Sequence, residues 1–393
     1  MIDPKLLEYA STDRQREVLQ AVIDHGGQSA AARALGIAKN AVDEKVAAAK
    51  KRAAKQGWSP EHDMTRTVPD GFKLKGTSTL YDDAGNQRLQ WVKSTADQEA
   101  QAEMQRQFVQ ALAEDVRGMA EPLPAPKGPL DEDTLTAYVV GDMHIGLYAY
   151  GEETGADDFD SDIATAQVKA AVDYLVSASP ASAQGMLVNV GDALHIDSRA
   201  NVTPASGNLL DVDTRYSRLT RMCVFALRHC VERMLQKHSI VHIVNAQGNH
   251  DPDSAGWISL CLSAFYEREP RVQVDMTPNK FHYHTFGKNL IGITHGDKLK
   301  HDDLPAIMAA ARPREWGEAE HRYWWTGHIH HKRQTEYRGC VVESFNTLAA
   351  PDAWHSASGY IAKREMQSLV LHREHGLIAR SICPIGVVKE KSA

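Results

Sequence analysis

Cysteine is scarce in this chain of 393 residues, with five in all: Cys223, Cys230, Cys261, Cys340 and Cys383. An odd number with no C-x-x-C pair excludes a disulfide frame and a cysteine-based zinc site. The five are expected to be small buried apolar groups in a reducing compartment. Long apolar runs are also missing. Nothing approaches the roughly 20 residues that span a bilayer, and the opening MIDPKLLEYA has no signal-peptide hydrophobic region. A cytoplasmic protein with no membrane partner is expected. No repeat of 20 to 50 residues is present, no G-x-S-x-G marks a serine nucleophile, and no G-x-x-x-x-G-K-[ST] loop marks an ATP phosphate cradle. The formal charge of −7 argues against a surface that binds polyanions everywhere, while 42% hydrophobic and 24% charged residues are ordinary for a globular chain.

What the chain does have is five short motifs in a fixed order: GDMHIG (141–146), GD (191–192), GNHD (248–251), THGD (294–297) and GHIHH (327–331). Asp, Asn and His are hard-to-borderline ligands for small divalent cations. Apolar runs precede most of the motifs, at 137–140, 186–190, 240–244 and 290–293. Helices are expected around 163–177, 216–238 and 257–267, and strands at 271–275, 281–286, 290–294, 335–345 and 368–372, with 377–382 as a hairpin partner of the last. Strands that deliver ligands from their C-terminal ends are a common way for an open α/β sheet to build a site. In D-x-H and H-x-H, alternate residues of an extended segment would point the same way.

The order D-x-H, GD, GNH plus an acid, a later His, and G-H-x-H resembles the calcineurin-like metallophosphoesterases, from about Leu135 onward. The resemblance implies an α/β fold, a four-layer α/β/β/α sandwich, and two divalent metal ions. It assigns Asp142, His144, Asp192 and His330 to one ion and Asp192, Asn249, His295 and His328 to the other, with Asp192 bridging. Manganese is favoured as the working ion, and Fe, Zn, Co and Ni also suit such mixed N/O sites. The implied chemistry is in-line attack on phosphorus by water activated between the ions. His250 resembles the family's non-ligand catalytic histidine, and Asp251 either orients it or caps a turn. His195 and His331 are candidates for phosphate or for support of the ligands. An insertion at 197–218 is expected to edge the cleft; Arg199, Asn201, Arg215, Tyr216, Lys298 and Lys300 are candidate substrate contacts, and 344–360 is a candidate cleft cover.

The residues before the motifs form separate pieces. The expected division is a helix-turn-helix-like domain at 1–57, a β-hairpin plus helix at 58–120, a proline-rich linker at 121–133, and the catalytic domain at 134–393. Thr12 and Gln15 have capping-box spacing. Ala32, Gly36 and Val42 have the spacing of a helix-turn-helix, with Leu35 and Ile37 completing its small core. Its second helix would carry Lys39, Asn40, Lys45, Lys50, Lys51, Arg52 and Lys55. Between Lys39 and Lys55 six basic residues face two acidic ones, a local excess that suits phosphate contacts. Asp43 and Glu44 oppose that reading, and an alanine-rich hairpin docking on a partner stays open. A stripe of Met104, Phe108 and Leu112 is expected on the helix that follows the hairpin.

The second motif reads GDALHIDSRAN without the GD-x-x-D-R-G of protein phosphatases, and GNHD replaces their GNHE. The resemblance leans instead to DNA-repair exonucleases, and more loosely to phage-encoded phosphoesterases joined to a helix-turn-helix. The expected activity is a nucleic-acid phosphodiesterase, with DNA ahead of RNA as partner. A phosphomonoesterase or small-nucleotide phosphodiesterase is the alternative, and a DNA-binding regulatory factor with a vestigial site is another. The sequence leaves oligomeric state open.

Overall fold

A computed structural model describes residues 2–62, 64–69, 71–84 and 86–392. The chain divides into two units, Met1–Gln110 and Ala111–Ala393. In the first, helices α1 (Asp13–Asp24), α2 (Gln28–Leu35) and α3 (Lys39–Lys55) enclose a core of Val18, Leu19, Val22, Ala31, Val42 and Val46. Thr12 Oγ1 accepts from Gln15 N at 3.1 Å and starts α1, while the Gln15 side chain reaches back to Ser11 N. Gly36, at φ 65°, ends α2 in the left-handed conformation and leaves a three-residue turn before α3. Short strands β1 (Trp58–Ser59) and β2 (Met64–Thr65) lead into the hairpin β3 (Phe72–Tyr81) and β4 (Gln87–Ala96). Helix α4 (Gln98–Asp115) follows. The side chains of Met104, Phe108 and Leu112 lie outside the described residues.

The second unit holds β5 (Asp131–Val140), α5 (Gly151–Thr154), α6 (Ser161–Ala178), β6 (Ser182–Asn189), α7 (Tyr216–Leu235), β7 (Ile240–Asn245), α8 (Ser254–Phe265) and β8 (Val272–Val274). It continues through β9 (His282–Phe286), β10 (Asn289–Ile293), α9 (Leu304–Ala311), α10 (Pro313–Glu318), β11 (His321–Thr326), β12 (Arg333–Glu336) and β13 (Val341–Ser344). It closes with α11 (Ala353–Ala357), β14 (Glu365–His372), β15 (Gly376–Pro384) and α12 (Ile385–Ser392). One sheet has the order β15-β14-β5-β6-β7-β8, with β5 to β8 parallel. The other has the order β12-β13-β11-β10-β9, with β10, β11 and β13 parallel.

Alternation along β5 decides the layering. Leu135, Ala137 and Val139 point into a core shared with Ile291, Ile293, Trp325 and Phe345 of the other sheet. Tyr138 and Val140 point the opposite way, into the core under α6 and α7. On the far face of the second sheet, Leu290, Trp324 and Val342 pack against Leu304 and Met308 of α9. Two sheets face to face with helices outside make a four-layer α/β/β/α sandwich. A bidentate pair, Arg380 of β15 to Glu343 of β13, joins the two sheets at 2.5 and 2.8 Å.

Two local differences from the sequence reading have clear causes. The single strand expected over 335–345 is a hairpin, because Arg338 and Gly339 turn at φ 51° and 87° and Tyr337 N meets Cys340 O. The proline-rich stretch is tied down at Leu123, whose N–H donates to Glu269 and whose carbonyl accepts from Arg271. All five cysteines are buried.

Trp325 is 2% exposed and fills the space between the sheets. Trp325→Ala should cost about 3–5 kcal/mol of stability, measured by equilibrium denaturant unfolding.

Candidate metal centre

The parallel strands of both sheets end on one edge, and each motif follows a strand end. Asp142 follows β5, Asp192 follows β6, Asn249 follows β7, His295 follows β10, and His328 and His330 follow β11. The convergence does not come from extended D-x-H and H-x-H segments. Asp142, His144, Asp192, His328 and His330 have φ of 33°, 44°, 51°, 69° and 53°. They are five of the seven non-glycine residues with positive φ among the described residues. Tight left-handed turns aim these side chains inward, at on the order of 1–3 kcal/mol each. Strain concentrated on chemically coherent side chains points to function.

Three groups of ligand atoms lie close enough to hold an ion: Asp142, His144 and His330; Asp192, His295 and His328; and His144, His195 and His250. The Nε2 atoms of His144 and His330 approach to 3.0 Å. His295 Nε2 lies 3.0 Å from Asn249 Oδ1 and 3.0 Å from Asp192 Oδ2. That same Asp192 oxygen is 3.9 Å from His144 Nε2, so one oxygen faces both principal groups. Its other oxygen accepts the His250 backbone N–H at 2.8 Å.

The surroundings fix the ligand set. His295 Nδ1–H donates to the Val190 carbonyl at 3.0 Å, which makes Nε2 the nitrogen aimed at the cluster. Asp142 Oδ1 accepts from His328 N at 2.9 Å, while its Oδ2 is buried and has no hydrogen-bond partner. An ionised oxygen left so is costly unless a cation meets it. The glycines are steric requirements. A Cβ on Gly327 would lie 2.5 Å from Asp142 Oδ2, one on Gly191 2.5 Å from His295 Nδ1, and one on Gly248 would collide with the Asp192 carboxylate. The charge balance fits the same picture. Against its burial, the Asp192 and Asp142 charges raise His295 to about 10. Burial holds His144 well below the ordinary histidine value, and burial holds His195 at about 3, so both are neutral imidazoles.

The remaining candidates fall into place differently. His250 lines the cleft, and its Nδ1–H donates to the His195 carbonyl at 2.9 Å, leaving Nε2 available. Asp251 does not orient that ring. Its carboxylate accepts from Gly248 N and Leu194 N at 2.9 and 3.1 Å, bracing the loops that carry Asn249 and Asp192. His195 is buried behind His144, at 3.2 Å between Nδ1 atoms, and is not a wall of the cleft. His331 does line the cleft. Arg199 and Lys298 are not among its lining residues, and Lys298 pairs with Asp297 at 3.7 Å. Asp197, expected to open a cleft-edging insertion, is buried and accepts from the N–H groups of Asp253 and Ser254 at the start of α8. Tyr216 OH shares a hydrogen bond with Ser254 Oγ at 2.6 Å.

The cleft over these ligands has a volume of about 740 Å³. One wall is 203–211, and the other contains Asp352, Trp354, His355 and Tyr360. The sequence reading gave no chemistry to this second wall. Asp352 accepts both the backbone N–H and the Nδ1–H of His355, at 2.8 and 2.6 Å. The His355 ring stacks on the ligand His330 at 5.0 Å and 18°. The available signal was Asp352-x-x-His355, an N-cap pattern in which the capping acid also holds an imidazole.

In the first unit, α3 presents Lys39, Asn40, Lys51 and Lys55 to solvent. Lys39 pairs with Asp43 at 2.8 Å, Lys50 pairs with Glu61, and Arg52 turns inward to the Tyr9 carbonyl and Gln15. Among the described residues, Lys45, Lys51 and Lys55 of this helix have no side-chain ion pair or hydrogen bond.

No protein-family model and no curated protein sequence matches the chain. Among solved structures, a novel archaeal phosphodiesterase is 12% identical, over 63% of this chain and 99% of its own, with a TM-score of 0.33. Vacuolar protein sorting 29 from Cryptosporidium parvum is 14% identical over 64% of this chain and 100% of its own, with a TM-score of 0.29. The zinc complex of its counterpart from Entamoeba histolytica is 11% identical over 63% and 98%, with a TM-score of 0.26.

Gly248→Ala should displace the Asp192 carboxylate while leaving the distant core intact. The expected result is a folded protein by circular dichroism whose bound transition metal falls at least severalfold by elemental analysis.

Proposed function

We propose that the chain is a metal-dependent phosphodiesterase that hydrolyses nucleic acid, with DNA ahead of RNA, as a nuclease. The observation that carries this reading is one Asp192 oxygen that faces both principal groups, 3.0 Å from His295 Nε2 and 3.9 Å from His144 Nε2, beside the orphaned Asp142 Oδ2. Asp142, His144, Asp192 and His330 would hold one divalent ion, and Asp192, Asn249, His295 and His328 the other. Four imidazoles favour a transition metal, with manganese first, over magnesium. When bound, such ions supply water of lowered pKa and neutralise the non-bridging oxygens of a phosphodiester.

The protein's own groups do the rest. Asn249 gives a neutral oxygen, which limits the negative charge that an anionic substrate meets. The His195 carbonyl holds the Nδ1–H of His250, so Nε2 is the nitrogen left facing the cleft, and when the ring carries both protons it can hand the Nε2 one to the leaving oxygen. Asp251 keeps the two ligand loops in register through their backbone N–H groups. His195 supports His144 from behind and is a positioning residue. We assign nucleic-acid contact in the first unit to Lys45, Lys51 and Lys55, with Asn40 beside them, since Lys39, Lys50 and Arg52 have intramolecular partners.

Purified protein loaded with manganese should hydrolyse a chromogenic phosphodiester and DNA strands, and a chelator should abolish both. His250→Ala should retain its metal and lose about a hundred- to ten-thousand-fold in turnover. Asp192→Asn should lose metal. Activity confined to phosphomonoesters would replace this reading with a phosphatase, and activity untouched by metal removal would end it.

The combined Lys45→Ala, Lys51→Ala and Lys55→Ala variant should bind DNA more weakly. Its plot of log affinity against log salt should flatten by up to about three, one per lost phosphate contact. Hydrolysis of the small chromogenic diester provides the comparison. Unchanged affinity and slope would leave the helices of the first unit as a protein-docking or purely structural element.

A further inference from the structure

The wall that carries His355 also carries two large aromatic side chains set against solvent. Trp354 is 64% exposed and Tyr360 is 52% exposed, yet their rings stack on each other at 5.6 Å and 23°. The Trp354 ring meets His355 edge-on at 5.0 Å, and His355 in turn stacks on His330. One imidazole thus separates an exposed aromatic face from a ligand of the metal centre. Both aromatic residues line the same cleft as Asp192, Asn249 and His250. Exposing an indole costs hydrophobic free energy, and a short segment that does so at the mouth of a charged cleft calls for a flat, apolar occupant.

A second cleft, of about 390 Å³, lies on the other flank of this segment and shares Ile329, His330, His331, His355 and Tyr360 with the first. It also contains Lys363. The segment therefore stands between two adjacent spaces, and the candidate ligand His330 lines both. A chain laid across both would set its charged backbone over His330 and its flat groups against the wall.

Resting on the phosphodiesterase reading, we infer that the Trp354–Tyr360 wall stacks an unpaired base next to the scissile phosphate, and that the substrate is a single strand threading both clefts. Every base has a π face, so stacking selects for an unstacked base without selecting its identity. In a duplex those faces are covered by neighbouring base pairs, so a paired strand gains nothing from this wall. His355 lies between the base site and His330, and Asp352 fixes its ring.

The test uses the full-length, metal-loaded protein and a short single-stranded oligodeoxynucleotide, compared with the same strand carrying abasic sites around the cleaved position. Wild type should favour the base-bearing strand in kcat/KM by roughly ten- to a hundredfold, and annealing the complement should remove that advantage. Trp354→Ala should bring the ratio toward one, and Trp354→Phe should restore most of it. Equilibrium binding of the labelled strands, followed by fluorescence anisotropy before metal is added, should give the same ordering. A wild-type ratio near one, or a ratio unchanged in Trp354→Ala, overturns the inference while leaving the phosphodiesterase standing. If wild type cleaves neither strand nor a chromogenic diester with any of the candidate metals, the inference and the reading beneath it both fall.

Discussion

Two carboxylates placed side by side in the interior govern this molecule. Asp142 is 0% exposed and Asp192 is 1% exposed, and neither sits where water can solvate its charge. Burying an isolated carboxylate is prohibitively expensive, so such groups must meet cations or protonated partners. Imidazoles surround them for that reason, and within the protein alone His295 takes up the compensating proton. The glycines at 191, 248 and 327 follow from the same constraint, because each clears the volume that a ligand side chain occupies. The left-handed turns at Asp142, His144, Asp192, His328 and His330 serve the same constraint, since each turns a side chain back toward the site just past a strand end.

The sandwich was expected from the resemblance, and the order of strands and helices was consistent with it. The strands 290–294 and 368–372 and the helices at 163–177, 216–238 and 257–267 correspond closely to β10, β14, α6, α7 and α8, because each has a period the core enforces. Strand β11 was missed. HRYWWT carries two tryptophans that serve opposite faces, Trp324 under α9 and Trp325 between the sheets, so no alternation of polar and apolar residues marks it. The hairpin turn at Arg338 and Gly339 was missed because a left-handed arginine gives no composition signal.

In the site, the motifs marked the side chains that come together but not the backbone geometry that assembles them. Period-two reasoning assumed extended segments, whereas the residues lie in turns with positive φ. Side chains that act through long-range contacts were hidden for a different reason. Nothing local in Asp251 reveals that its oxygens reach Gly248 and Leu194, and nothing in His355 reveals that it stacks on a ring 25 positions earlier. The basic helix α3 teaches the converse. Its charge count was visible, but the pairing of Lys39 and Lys50 and the inward turn of Arg52 emerge only from tertiary structure.

The ligands are divided between the layers, with Asp142, His144, Asp192 and Asn249 following strands of one sheet and His295, His328 and His330 following strands of the other. Bound ions at their meeting point would act as rivets across the sandwich, adding to the apolar contact between the sheets a bond that solvent cannot loosen. Anything that binds the native state alone stabilises it in proportion to the logarithm of its concentration over its dissociation constant. Heat resistance and resistance to proteolysis would thus track metal supply, and scarcity of the ion would thin out the folded population along with the catalytic one.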